Sequence, residues 1–485
     1  MHGARLRSWF FGRLPMTAAT IMLVAAFFAV VATMFAAPTN ALPSFARQTG
    51  QPCGACHTDF AGLTPYGRRF KINGYTNGGG QYRTTLFPFD DSTKDSKKTW
   101  APPISMMSIV GFTHTATAMG PPADPFANND NITIPPFSFF WGGAITDHIG
   151  AFSQLTYTPT QTASIGGDPF VHSWSWDNTD VRYANSTSIG NVNITYGITA
   201  NNNPTVQDPW NTTPAWGFPY AASPFGAGFG PTPIIDGGFA AHVGSAGAYV
   251  YINDLIYLEA SVYRTLDPKT QNSLGADPFG AIGLFDAAPY WRAAIEPHWG
   301  PHWLEVGTFG MVASVHPWIM PGTTSTATFP QTDKFTDIGV DAQYQYQGSN
   351  FWVTLRGSYI HEYQKLDASF NNFLAANPKN ELNEARAYAS LAYGNNNRVV
   401  LTGQYFTAWG SPDSILYASS PNFSPDTNGW IAEIAYIPFI TSFAPGWPWF
   451  NTRIGLQYTW YERFNGTSVG ASTNNTLFAY VWLAM

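Results

Sequence analysis

The sequence predicts an all-β fold in which about sixteen strands close into a membrane-spanning barrel, and three observations support this. Charged residues make up 11% and aromatic residues 16% of the 485 residues, whereas roughly a quarter of an ordinary globular domain is charged. Apolar and polar residues alternate with a period of two in many windows. Short and long connections between these windows follow one another along the chain. A surface so poor in charge is suited to lipid rather than to water.

Spanning helices do not explain this composition. No stretch after the first 41 residues approaches the roughly 20 consecutive apolar residues that a spanning helix needs. A closed barrel pairs its backbone amides without water and needs only alternate residues to be apolar. That requirement agrees with the mean hydropathy of -0.12.

The period of two is clear between residues 335 and 346. Ile338 and Val340 alternate there with Asp337 and Asp341, so that one face suits lipid and the other suits a wet lumen. Residues 450–461 and 255–264 repeat the separation, and a helical period fits none of these windows.

Windows of this kind predict the strands and their order. They lie near residues 104–115, 136–146, 149–158, 176–186, 190–200, 237–252, 255–265, 290–299, 302–314, 334–347, 350–363, 384–394, 397–409, 428–439, 449–462 and 475–485. Tight turns such as Asn253-Asp254 alternate with long connections such as 201–236. Outer-membrane barrels combine short periplasmic turns with long outer loops. An even strand count therefore puts both ends of the barrel in the periplasm.

The first 41 residues have the features of a secretory signal peptide. Three arginines precede an apolar run over residues 16–37, and Thr39 and Ala41 form a small-x-small site. This pattern predicts cleavage before Leu42. The apolar run is also long enough for a retained membrane helix, which is the alternative.

The two cysteines of the chain lie in one pentapeptide, Cys53-Gly54-Ala55-Cys56-His57. At this spacing two thioethers hold a haem, and the histidine that follows ligates its iron. A structural disulfide or a thioredoxin-like pair would not need that histidine. The motif therefore predicts one covalently bound haem c, with Cys53 and Cys56 as attachment points and His57 as the proximal ligand.

The predicted domains are a monohaem cytochrome c segment at 42–100 and a β-barrel at 101–485. The first has too few apolar residues to build its own core around a haem. We therefore expect it to plug the lumen, which sixteen strands make wide enough, rather than to fold apart from the barrel.

The sixth ligand of the iron is not evident from the motif. Residues 42–100 contain no methionine and no histidine besides His57, so a strong distal ligand must come from the barrel. Strand parity makes Met107 the candidate, because Met106 and Met107 cannot both face the lumen. The other candidates are Met311, His114, His298 and His302. Water, Lys71 or an open position are alternatives, and a single methionine in a strand is more often a packing residue.

Two stretches beside the motif carry a family resemblance. Residues 46–50 (Ala-Arg-Gln-Thr-Gly) and 63–75 (Leu-Thr-Pro-Tyr-Gly-Arg-Arg-Phe-Lys-Ile-Asn-Gly-Tyr) resemble the outer-membrane monohaem cytochrome c–porin fusions of iron-oxidising bacteria, and in particular those of acidophiles that oxidise ferrous iron. The resemblance implies a 16-stranded porin with an N-terminal cytochrome. It further implies that electrons pass from extracellular Fe(II) to a periplasmic c-type cytochrome or copper carrier.

Charged residues on the lumen-facing parity are interpreted first as a network that holds the segment, and second as an iron path. They are Glu259, Arg292, Glu296, Glu305, Asp337, Asp341, Arg356, Glu433 and Arg453. Four cations near the motif are candidates for pairing with haem propionates, or are ordinary solvated or barrel-facing cations. They are Arg47, Arg68, Arg69 and Lys71.

Two function classes remain after this reading. In the first, the protein is an electron-transfer oxidase of extracellular Fe(II). In the second, it is a solute porin whose haem plug senses redox state or gates passage. The sequence shows no nucleotide-binding loop and no hydrolase or transferase constellation. A net charge of -7 without a basic run gives no indication of a nucleic-acid partner.

Overall fold

The computed structural model describes residues 42–88, 96–118, 129–133, 137–157, 174–273, 283–316, 331–396, 398–441 and 446–485. The predicted signal peptide over residues 1–41 and its cleavage site lie outside the described residues.

Sixteen long strands form one closed antiparallel barrel, in which the first strand pairs with the last. In chain order they are β1 (Ile104–Thr115), β2 (Phe137–Ala144), β3 (Ile149–Tyr157), β4 (Trp174–Ile189), β5 (Val192–Asn201), β6 (Val243–Ile252), β7 (Ile256–Thr265), β8 (Ala288–Ile295), β9 (His302–His316), β10 (Asp333–Gln347), β11 (Phe351–Lys365), β12 (Lys379–Tyr393), β13 (Arg398–Gly410), β14 (Thr427–Ile437), β15 (Asn451–Arg463) and β16 (Thr476–Ala484). Short strands at Asn131–Thr133, Gly283–Leu284 and His298–Trp299 extend these ladders.

The two faces of β10 show why the sequence closes in this way. Ile338 and Val340 are 45% and 50% exposed on the outside, whereas Asp337 and Asp341 are 1% and 3% exposed on the inside. Strands β7 and β15 alternate in the same manner. The period of two therefore places apolar residues outside and polar residues in the lumen, as predicted.

Three strand boundaries differ by at least four residues from the sequence-based expectation. Strand β6 begins at Val243 and not at 237, because Gly237 and Ala241 have positive φ and interrupt the extended chain. Strand β8 ends at Ile295 and not at 299, because Pro297 has no N–H to donate to a ladder. Strand β12 begins at Lys379 and not at 384, since its polar start pairs with the end of β11.

With one exception, the connections separate by length into the two ends of the barrel. The exception is the connection 438–450 between β14 and β15, a longer one at the short-turn end. At one end lie tight turns such as Gly190–Asn191, together with the start of β1 and the end of β16. At the other end lie longer connections such as 366–378 and 411–426. We call residues 202–242 the inward loop, because they leave the long-loop end and turn into the lumen. There Gln404 and Gln457 donate to the carbonyls of Phe218 and Ala221.

The helices are short and are not part of the barrel wall. They are α1 (Pro43–Thr49), α2 (Cys53–Cys56), α3 (Pro65–Ile72), α4 (Pro268–Ser273) and α5 (Asp367–Asn371), with 3₁₀ turns at Pro214–Trp216 and Ala471–Asn474. In the described part of the chain, no helix has the length and apolar character needed to cross a membrane.

The residues before β1, described over 42–88 and 96–103, form what we call the N-terminal segment, and they contact strands on every side of the barrel. Arg68 donates to Gln345 Oε1 of β10 at 2.6 Å, and the carbonyl of Ile72 accepts from Tyr249 of β6 at 2.6 Å. On the remaining sides, Gln48 accepts from the backbone of β2 and Thr58 accepts from β13. A segment with partners all round a closed sheet lies inside it.

Candidate functional site

The cysteine motif forms a single helical turn that packs against α3. The amide of Thr64 donates to the carbonyl of Cys56 at 2.9 Å, and His57 forms a β-bridge with Leu63. Gly67 permits this contact, since a Cβ there would lie 2.3 Å from Cys56 O. The motif and α3 thus form a compact bracket, residues 53–72, through contacts within the N-terminal segment itself.

The short-turn end of the barrel fixes the position of this bracket. Gly54 donates its amide to the carbonyl of Ile440 at 3.0 Å. Arg398, at the start of β13, donates to the carbonyl of His57 at 2.8 Å. Cys53 and Phe60 pack into one apolar cluster with residues of β11, β13 and β14. The motif is therefore anchored at the end that the barrel topology assigns to short turns.

A cavity of about 400 Å³ opens beside the motif, and Cys53, Cys56 and His57 form part of its wall. Most of the remaining wall is apolar, which suits a flat apolar cofactor held by a few polar groups. Aromatic residues in this wall include Phe45, Phe60, Phe70, Phe140, Phe152, Trp216, Tyr220 and Trp482. The N-terminal segment, strands β1 to β4, β16 and the inward loop all contribute.

Met107 is the distal candidate that the structure places in this cavity. It faces inward from β1 and packs with Phe70, Phe140 and Phe152. The described wall does not include the other four candidates. Met311 is buried in a separate apolar cluster, His114 pairs with Asp130 at 2.7 Å, His298 is exposed, and His302 bonds to Tyr344.

Burial controls the protonation of the motif. It lowers the pKa of His57 to about 4, so that the imidazole is neutral near pH 7. The buried His57 Nδ1 has no hydrogen-bond partner among the described residues. Burial also raises the pKa of the Cys56 thiol to about 12, whereas a reactive redox thiol needs a lowered pKa. Cys53 and Cys56 are not disulfide-bonded.

Three of the four cations near the motif have partners away from the cavity. Arg47 donates to the carbonyl of Ile104 at 2.6 Å and to that of Pro102 at 3.1 Å. Arg68 forms an ion pair with Glu296, and the exposed Arg69 pairs with Asp254 at 2.8 Å. These three arginines are thus barrel-facing cations, which was one of the two expectations.

The fourth cation, Lys71, lies in the cavity wall. Its Nζ donates to Asn211 and to the backbone carbonyls of Val206 and Asp208 in the inward loop. Burial lowers the pKa of this amine to about 7. Its donors are already engaged by three oxygens, so the geometry does not present Lys71 as a ligand.

The lumen-facing charges form the network that strand parity predicted. Arg453 pairs with Asp59 of the N-terminal segment and with Glu433 of β14. Arg292 pairs with Asp208 of the inward loop at 2.9 Å and with Asp341 at 2.9 Å. The pairs join the barrel wall to both segments that fill the lumen, so these charges act first as structural anchors.

Sequence reasoning missed several residues of the cavity wall. None of the charged residues of β4 was among the expected lumen charges, although Asp180 and Arg182 are fully buried. Alternation in step with those two residues would put the odd-numbered Asp177 outside. A register shift between Ser153 and Leu155 of β3 reverses that parity. Trp216 and Tyr220 were hidden in a long connection with no periodic signal. Only a bulge prediction would have found Asp177.

The cavity offers a donor set that fits a c-type haem. Two sulfurs and an imidazole lie on one short segment, a thioether lies on β1, and the wall is largely apolar. Thioether attachment uses the two cysteines, and the two axial positions suit histidine and methionine. The residues present therefore fit the group that the motif predicts.

Comparison with known proteins identifies no family. No protein-family model and no curated protein matches the chain. Among solved structures, OmpT of Vibrio cholerae is 10% identical with a TM-score of 0.40, over 79% of this chain and 96% of that one. The outer membrane channel DcaP of Acinetobacter baumannii is 12% identical, with a TM-score of 0.40 over 79% and 96%. OprB of Pseudomonas putida is 10% identical, with a TM-score of 0.42 over 79% and 93%. Identities and TM-scores as low as these carry no information on function.

Proposed function

We propose that this protein is an outer-membrane electron-transfer protein that oxidises extracellular Fe(II) through a covalently bound haem c. The electron would then pass to a periplasmic c-type cytochrome or copper carrier. One observation carries the proposal. Cys53, Cys56, His57 and Met107 line the same cavity, although Met107 is separated from the motif in sequence and belongs to the barrel.

The surface of the barrel supports the membrane location. Large apolar side chains are exposed on its outer face, among them Leu258, Val306 and Leu401, each between 45% and 49% exposed. Such a face is stable in a bilayer, where the closed sheet leaves no unpaired edge. The bacterial outer membrane is the usual location of such barrels.

The residues divide the work of holding the cofactor. Cys53 and Cys56 would provide the thioethers, His57 the proximal ligand and Met107 the distal one. A haem bound in this way would supply a one-electron redox centre, and methionine ligation raises its potential. Phe140, Phe152 and their aromatic neighbours would give the cofactor an apolar surrounding. A neutral His57 needs no deprotonation before it ligates.

The electron balance is simple. Each Fe(II) loses one electron and becomes Fe(III), and one oxidised periplasmic carrier gains that electron. No proton transfer is needed, so no acid–base residue is assigned. The motif lies at the short-turn end, which favours delivery to the periplasm, while the cavity extends from there towards the long-loop end.

Anaerobic stopped-flow absorbance tests this proposal. Purified protein mixed with excess Fe(II) should show the haem bands shift to the reduced form in a single turnover. The control is the Cys53→Ser/Cys56→Ser variant, which should show no such change. A haem that stays oxidised at saturating Fe(II) would contradict the oxidase function.

A solute porin with a haem plug is the second candidate, and the barrel with its inward loop favours it. Against it, ion pairs fix both the N-terminal segment and the inward loop to the wall. Conductance across a planar bilayer separates the two functions. A gated porin gives a conductance that changes with haem oxidation, whereas the electron-transfer protein gives a small conductance that does not.

A further inference from the structure

We infer that Asp177 is the contact that receives the hydrated Fe(II) ion at the outer end of the cavity. The inference rests on the proposed function and adds to it the place where the donor binds. Asp177 lines the same cavity as His57. It lies near the start of β4 at the long-loop end, whereas the motif is anchored at the short-turn end. The two therefore lie towards opposite ends of the barrel and line the same cavity.

A bulge turns Asp177 inward. The pairing of β3 with β4 shifts register between Ser153 and Leu155, and Gln154 faces this irregularity. Asp177, Asn178 and Gln154 all line the cavity as a result. Bulges next to functional sites commonly redirect a side chain in this way. A regular ladder would have placed this carboxylate on the lipid side, where it would be costly.

The carboxylate is held in place but keeps acceptor capacity. Thr156 Oγ1 donates to Asp177 Oδ2 at 3.0 Å, and the amide of Asn178 donates to Asp177 Oδ1 at 2.9 Å. An ionised carboxylate accepts about four hydrogen bonds. Each oxygen can therefore still accept from the water ligands of a divalent cation.

The charge distribution singles out Asp177. In the described cavity wall it is the one carboxylate. The nearby Asp180 has its negative charge paired with Arg182 at 2.7 Å. Lys71, the amine in the same wall, points its donors at three oxygens of the inward loop. In this wall, Asp177 is therefore the side chain that can offer a negative charge to a divalent cation.

Asp177→Asn tests the inference by removing the charge while keeping the shape. We expect the second-order rate of haem reduction by Fe(II) to fall about tenfold, with a weaker dependence on ionic strength. Reduction by uncharged hydroquinone and the haem midpoint potential should not change. The matched control is Asp286→Asn, because Asp286 is an exposed carboxylate outside the cavity wall, and it should retain the wild-type rate.

Binding of Mn(II) gives a readout that does not depend on electron transfer. Mn(II) titrated into the haem-loaded protein and followed by electron paramagnetic resonance should bind more weakly to Asp177→Asn than to the wild type and Asp286→Asn. Equal Mn(II) binding and equal Fe(II) rates would overturn the inference. The inference would also be overturned if Asp177→Asn slowed haem reduction by hydroquinone as much as reduction by Fe(II). Asp177 would then only maintain the shape of the cavity. A wild-type haem that Fe(II) cannot reduce would instead refute the proposed function. In that case Mn(II) binding would still test whether Asp177 binds a divalent cation.

Discussion

The N-terminal segment and the inward loop fill the same lumen, but the barrel holds them in different ways. The N-terminal segment uses charges of both signs, since Arg68 pairs with Glu296 and Asp59 with Arg453. The inward loop supplies carboxylates only: Asp208 pairs with Arg292, and Asp236 pairs with Arg386. In these ion pairs the barrel therefore presents arginines to the loop and residues of both signs to the segment.

This difference separates two tasks. The loop is tied down by side chains whose role is structural, and it covers the cavity with Trp216 and Tyr220. The segment is tied down by residues that flank the motif, and the motif itself contributes Cys53, Cys56 and His57 to the cavity. Damage to the loop should then change stability and conductance, whereas damage to the segment should change the cofactor.

The largest expected effect comes from removing the thiols. Cys53→Ser/Cys56→Ser should abolish covalent haem, because both thioether sulfurs are lost. The measurement is peroxidase staining of the denatured chain after electrophoresis. The barrel should still form, since its pairing does not involve these side chains, and it should remain heat-modifiable on a gel. Haem stain that persists would contradict the assignment of the motif.

The next largest effect concerns the loop. Arg292→Met leaves Asp208, Glu305 and Asp341 without their buried cation, so the free energy of unfolding should fall by about 3–5 kcal/mol. Denaturant unfolding in detergent measures this, and bilayer conductance should rise as the loop loosens. The matched change Arg463→Met removes a 47% exposed arginine and should cost at most about 1 kcal/mol. A similar loss of unfolding free energy in both variants would show that the buried ion pair between Arg292 and the inward loop contributes no more than an exposed one.

A smaller loss of stability is expected from the segment. Arg68→Met leaves one buried carboxylate, Glu296, which still accepts from Tyr251 at 3.1 Å. We expect a loss of about 3 kcal/mol. In contrast to the loop variant, the haem spectrum should also change, because Arg68 anchors α3 beside the motif. If Arg68→Met lowered the free energy of unfolding but left the haem spectrum unaltered, the segment and the loop would not differ in their effect on the cofactor.

The smallest effect on stability is expected at Met107. Met107→Leu conserves volume and should cost less than about 1.5 kcal/mol. The loss of a thioether ligand should nevertheless lower the midpoint potential and remove the methionine–iron charge-transfer band of the oxidised protein. Met311→Leu changes an inward methionine of a different cluster and should leave both unaltered. An unchanged potential in Met107→Leu would exclude Met107 as the ligand.

The sequence predicted the wall well and its contents less well. All sixteen strands were found because apolar and polar side chains alternate along a barrel strand with a period of two. The same alternation assigned Met107 to the inner face. The partners of Arg47 and Arg68 lie on strands far away in sequence, and no local sequence pattern encodes such contacts. The inward loop lacks periodicity, and the extra residue of β4 opposite Gln154 reverses the parity that would otherwise put Asp177 outside.

The closure of β1 onto β16 imposes an order on biogenesis. The segment precedes β1, yet it contacts early and late strands alike, from Gln48 at β2 to Phe60 against Trp482 of β16. A segment with contacts on so many strands cannot enter a barrel that is already closed. The sheet must therefore form around the segment before β1 pairs with β16. We expect a maturation enzyme that ligates haem to act before that moment. Pulse labelling should then detect haem-bearing chains ahead of heat-resistant barrels.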